Sequence, residues 1–140
     1  MKQIIRPLTV CIVNLALLIA LDTLWLGFIM KDFYTTQLHK INQCALTEQT
    51  VYNMPAALGA WTLIILGLLL FVLPATAQAS YHTTFLWGAC FGFTIYGIYN
   101  LTNIAIIKEL SMQLALCDLL WGTVVTALLA SSLKWCNGKL

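Results

Sequence analysis

The stretch LTVCIVNLALLIALDTLWLGFIM, Leu8 to Met30, decides the fold. A helix needs roughly 20 apolar residues to cross a bilayer, and this run supplies them. It contains one acidic or basic side chain, Asp22, with Trp25 three residues on. An ionisable group inside hydrocarbon is costly and marks a functional site by default. The same pairing recurs near the other end of the chain, in CDLLWGT (Cys117 to Thr123), where Asp118 precedes Trp121 by three residues.

The rest of the composition agrees with a membrane setting. Of the 140 residues, 61% are hydrophobic and 9% charged, whereas soluble domains carry roughly 25% charged residues. The formal net charge of +2 is small and scattered, which gives no case for nucleic acid. Four segments are long enough to span: about 8–30, 55–73, 83–107 and 112–133. Backbone groups in lipid must be satisfied internally, so each is expected to be helical. The run after Lys2 and Arg6 has no clear small-residue cleavage site and reads as a retained first helix. Asn53 is placed to cap the second helix, with Pro55 in its first turn, and Pro74 ends it. Ser111 is placed to cap the fourth. The links at 75–82 and 108–111 are short and force antiparallel neighbours, while His82 reads as a solvated loop residue. The expected fold is therefore all-α: an integral membrane bundle of four antiparallel transmembrane helices, forming one domain.

The connection 31–53 is long and polar. Tyr34, Leu38, Ile41 and Ala45 recur on one helical face within it, the pattern of an interfacial amphipathic helix. With both termini inside, Lys2, Arg6, Lys134 and Lys139 face Lys31, Lys40 and Lys108, a slight positive-inside bias towards cytoplasmic termini. None of the five cysteines forms Cys-x-x-Cys. No disulfide, metal set or cofactor is expected; His39 and Cys44 alone do not make a metal site.

Helix rise places the polar residues at one depth. Asp22 lies roughly 5 Å past the midpoint of the first helix, and Asp118 roughly 6 Å before that of the fourth. In an antiparallel bundle these positions share a level. Asn100 and Asn103 lie roughly 8 and 12 Å past the third midpoint, on the same side. Tyr96, Tyr99, Asn100 and Asn103 form one stripe, and Thr102 points elsewhere. The stripe continues back through Gly92 and Gly88, spaced for close helix approach. Gly122 follows Asp118 by one turn and suits the same packing. The second helix has no ionisable residue and reads as a wall of the bundle. The long connection lies on the polar side and is a candidate lid, carrying His39 or Glu48.

Two neighbouring carboxylates in a low dielectric cannot both ionise cheaply, which suits a shared proton. The bland alternative is polar glue between helices, worth about 0.6 kcal/mol per bond. That is a small gain for so costly a group. Trp25 and Trp121 suit either stacking on a ligand or anchoring at the membrane interface.

Three motifs in order, LDTLWLG (Leu21 to Gly27), YGIYNLTN (Tyr96 to Asn103) and DLLWG (Asp118 to Gly122), resemble a family of small bacterial membrane proteins, DUF2177. The resemblance covers nearly the whole chain. In the family the third-helix motif usually reads Tyr-Asp-Leu-Thr-Asn, so the resemblance implies that Asn100 stands in place of a third carboxylate. It implies a fold and a site but no activity. Three functions fit the residues. The first is permeation of protons, cations or small solutes through the Asp/Asn layer of a protein of the bacterial inner membrane, oligomeric because one thin bundle has little room for a path. The second is a membrane enzyme, or its partner, acting on a lipid or isoprenoid with the aspartates as acid and base. The third is an assembly factor docking another membrane protein.

Overall fold

The structure, a computed structural model, describes residues 2–42 and 53–139. Helix α1 (Lys2–Leu24) continues into a π-helical turn, Trp25–Ile29, closed by the Met30 N–H donating to the Trp25 carbonyl at 2.8 Å. The chain bends at Met30 into α2 (Lys31–Asn42). Helix α3 (Met54–Gly67) runs on through a second π-helical segment, Leu68–Val72, and a last turn, Leu73–Ala75. Pro74 accounts for that distortion, because its ring crowds the carbonyl four residues back, at Leu70. Helices α4 (Tyr81–Ile106) and α5 (Met112–Lys139) complete the bundle. No strand occurs among the described residues.

Four helices are long and apolar enough to cross a membrane: Leu8–Ile29, Met54–Ala75, Tyr81–Ile106 and Met112–Gly138. Two caps use the residues that the sequence offers. Asn53 accepts from the Ala56 N–H at 3.1 Å, and Ser111 Oγ accepts from the Leu114 N–H at 3.1 Å. The third helix begins earlier than 83, because Ser80 caps it by accepting from the Thr83 N–H at 3.1 Å. His82 is therefore an exposed residue of the first helical turn, not of a loop. Helix α5 also runs past Leu133, to Lys139.

Helix α5 is the hub. Within its apolar window 44% is buried, against 11–17% in the other three spans. It packs along α4 and meets α1. The contacts pair the C-terminal part of α1 with the N-terminal parts of α3 and α5, and the C-terminal part of α4 with the start of α5. The core joins Val10 and Leu18 of α1, Leu68 and Val72 below α3, and Val125 and Leu129 of α5. Leu63, Phe71, Phe93, Leu101 and Leu120 point outward. An apolar exterior over a partly polar interior is what a bilayer solvent selects.

Glycine sets the α4–α5 distance. A Cβ at Gly88 would lie 2.8 Å from the Thr126 carbonyl, one at Gly92 would meet Thr126 Oγ1, and one at Gly122 would enter the Tyr96 ring. The helices touch backbone to backbone, a mode of approach that drives helix association in lipid.

Candidate functional site

The polar residues meet at the end of the bundle where α1 finishes and α5 begins. Asp22 is 7% exposed. Each of its oxygens accepts from an indole: Oδ1 from Trp121 Nε1 at 2.8 Å and Oδ2 from Trp61 Nε1 at 2.7 Å. One carboxylate thus ties α1 to α3 and α5. Across the layer, Asn100 Nδ2 donates to Asp118 Oδ2 at 2.7 Å, and also to the Tyr96 carbonyl at 2.9 Å. Asp118 lies within electrostatic reach of Asp22, and Tyr96 within reach of both.

Charge is the informative property here. The groups that act on the two carboxylates are indole and amide donors and the other acid, and no lysine, arginine or histidine is among them. Neutral donors orient and partly stabilise an anion but do not cancel its charge. Two carboxylates under apolar cover leave an electrostatic demand that a proton or a cation must meet.

The two tryptophans that follow the aspartates stack on each other, centroids 4.5 Å apart and planes 1° from parallel. Their facing surfaces are therefore used within the protein. Trp121 both stacks and donates to Asp22, so it aligns one acid with the neighbouring turn of α1. Asn103 is half-buried and takes no part in the layer's hydrogen bonds. Tyr99 is 61% exposed and lies outside the layer. Adjacent residues of a helix differ by about 100° in direction, so with Asn100 pointing inward Tyr99 is turned away. Thr102 is exposed, and its hydroxyl returns to the Ile98 carbonyl at 2.7 Å.

Three residues at or beside the layer are not placed there by the sequence reading. Trp61 comes from α3, which is thereby more than a wall. It stands roughly 5 Å before the midpoint of its helix, so the depth arithmetic used for the acids would have located it. Helix α2 supplies the other two. Gln37 is buried, and its Oε1 accepts from Ser111 Oγ at 2.8 Å, fastening α2 to the start of α5. Tyr34 reaches the layer beside Trp25 and Cys117, and burial holds its hydroxyl above the ordinary tyrosine range, hence protonated. His39 is exposed and does not join the layer. Ala45, Glu48 and Cys44 lie outside the described residues. The other cysteines, Cys11, Cys90, Cys117 and Cys136, are free, and no metal-ligating group of His, Cys, Asp and Glu occurs among the described residues.

A second polar cluster closes the opposite end. Lys134 Nζ donates to the Thr76 carbonyl at 2.7 Å, the Ala79 carbonyl at 2.6 Å and Thr84 Oγ1 at 3.1 Å. Its three hydrogens are all used, and the Tyr81 ring lies 5.7 Å from the ammonium. This cation ties the connection after α3 to α4 and α5, sharing the Thr76 carbonyl with the Ala79 N–H.

A family described as "Predicted membrane protein (DUF2177)" matches residues 8–134. No curated protein and no solved structure matches the chain.

Proposed function

The chain belongs to the DUF2177 family of predicted membrane proteins, and we propose that it is a small permeation protein whose Asp22–Asp118 layer carries protons or small cations. One observation carries the reading. Two carboxylates under apolar cover are held by neutral donors alone, Trp61, Trp121 and Asn100. A charge left to be balanced by a mobile species is the arrangement that proton relays and cation sites in membranes use. The setting is the bacterial inner membrane, with both termini in the cytoplasm and α2 lying at the opposite interface. A single bundle offers little lumen, so the working unit is a homo-oligomer.

The test is flux. Purified protein is reconstituted into liposomes holding a pH-sensitive dye, and proton, sodium and potassium gradients are imposed in turn. Wild type is expected to dissipate one of them in a pH-dependent way, and Asp118→Asn to dissipate none. A folded wild type that leaks none of the three ions above empty liposomes would sink the proposal.

The glue reading keeps one specific observation in its favour: Asp22 satisfies both indoles and joins three helices. It predicts that neutralising either acid lowers stability, that the two losses do not add, and that no gradient is affected.

A further inference from the structure

The end of the bundle away from the aspartates holds a cavity of about 500 Å³. Ligand sites in proteins measure roughly 300–1,000 Å³, so this one has room for a small molecule or for part of a larger one. Val10, Leu69 and Leu73 give it an apolar wall, and Lys134, Tyr81 and Asn137 supply polar groups. The lining gathers four span ends: Val10 follows the start at Leu8, Leu73 precedes the end at Ala75, Tyr81 begins the third span, and Asn137 precedes the end at Gly138. Lys134 lies roughly 6 Å inside that last end. Tyr81 and Trp135 are exposed there, and exposed Tyr and Trp at span ends mark the level of the lipid headgroups.

Charge narrows what fits. Among the described residues the Lys134 ammonium is the one charge in the lining. Its three hydrogen-bond partners are neutral oxygens, which orient the ammonium but do not cancel its charge. The sequence supplies no carboxylate side chain nearby. The segments that bound the cavity, 1–21, 69–81 and 119–140, contain Lys2, Arg6, Lys134 and Lys139 and no Asp or Glu. The apolar wall calls for an amphiphile, and the uncancelled cation calls for an anion. A zwitterionic head would bring a second cation beside Lys134, whereas a net-anionic head would not. Tyr81 and Asn137 carry O–H and N–H donors for its oxygens. Basic pockets between transmembrane helices recognise anionic headgroups in this way. We propose that the cavity binds the phosphate headgroup of an anionic phospholipid, with the upper part of an acyl chain against Val10, Leu69 and Leu73. The site is separate from the aspartate layer and does not depend on the permeation reading.

The test is a set of thermal melts in neutral detergent micelles. Phosphatidylglycerol, phosphatidylcholine with the same chains, and inorganic phosphate are titrated in separately. A ligand of the folded state raises the Tm with its concentration. Phosphatidylglycerol is expected to raise the wild-type Tm by several degrees and to saturate, and the other two to leave it level. Ala77→Trp is the deciding variant. Ala77 is an exposed residue of the cavity rim, so the indole fills the space while every charge is kept. It is expected to melt close to wild type without lipid and to lose the response to phosphatidylglycerol. Lys134→Met should lose it too, on top of its own loss of stability. An equal response to phosphatidylcholine would overturn the choice of an anionic head. An equal response to inorganic phosphate would overturn the lipid and assign a free anion. An Ala77→Trp protein that keeps the full response would overturn the cavity as the site, leaving only diffuse attraction to the lysines and arginine of this end. No gradient is involved, so this test and the flux assay can fail independently.

Discussion

The two ends of the bundle solve the problem of a charge in an apolar setting in opposite ways. At the terminal end one cation, Lys134, meets three oxygens and every ammonium hydrogen is used. At the other end two carboxyl groups share three neutral donors, Trp61, Trp121 and Asn100. The first arrangement is saturated and holds helices in place. The second has no cation among its partners. In lipid the cost of a charge is high at either end, and the two clusters meet it with different partners; under the permeation proposal the saturated one is structural and the other the working one.

If that contrast is sound, variants at the two ends should sort by what they damage. The largest loss of stability is expected for Lys134→Met, about 3 kcal/mol, because three oxygens lose a charged donor. Chemical denaturation in micelles measures it, and flux per folded molecule should be unchanged. A stable Lys134→Met protein with lost flux would reverse the assignment of the two ends. Gly92→Ala comes next, at about 2 kcal/mol, since the new methyl meets Thr126 Oγ1 and the Gly122 carbonyl. Both effects lie in packing and pairing and are read from thermal melts.

At the aspartate end the order should invert. Asp22→Asn leaves one indole without an acceptor and should cost about 1 kcal/mol. Asp118→Asn retains a carbonyl oxygen for Asn100 and should be near neutral in stability while abolishing flux. A drop of several kcal/mol in Asp118→Asn would move this end into the structural class. The contrast is sharpened by Asn100→Asp, which puts a carboxylate where the amide now donates to Asp118 at 2.7 Å. The pair then needs a proton between its oxygens, so the folded state binds one more proton than the unfolded chain. Stability must fall as pH rises, by up to about 1.4 kcal/mol per pH unit. Melts across pH would show that slope in the variant against wild type.

Much of the site is legible in the chain because depth along a helix is a simple sum of rises. Asp22, Asn100 and Asp118 come to one level on that arithmetic, and the contacts of Asp118 with Asn100 and of Asp22 with Trp121 lie there. The small residues Gly88, Gly92 and Gly122 likewise announce where two helices touch. Rotation is harder to read than depth. Tyr99 sits in the polar stripe by spacing, yet it faces outward because Asn100 takes the inward direction. Buried partners without charge are harder still. Asn14 is 0% exposed, two turns below Asp22, with Nδ2 donating to the Val10 carbonyl at 2.9 Å and Oδ1 unpaired, and the apolar run around it gives no hint of that position.

The sequence by itself determined that this is an all-helical membrane protein with four spans, because only continuous helices satisfy the backbone in lipid and composition marks them. It also determined which helices carry acids and at what height. Tertiary structure alone decided what each acid meets. Trp61, Tyr34 and Gln37 are uncharged, and no motif ties them to the aspartates. They belong to the layer because α3 and α2 turn those faces towards it. Helix rotation is fixed by the packing of all neighbours together and is not encoded in any one segment.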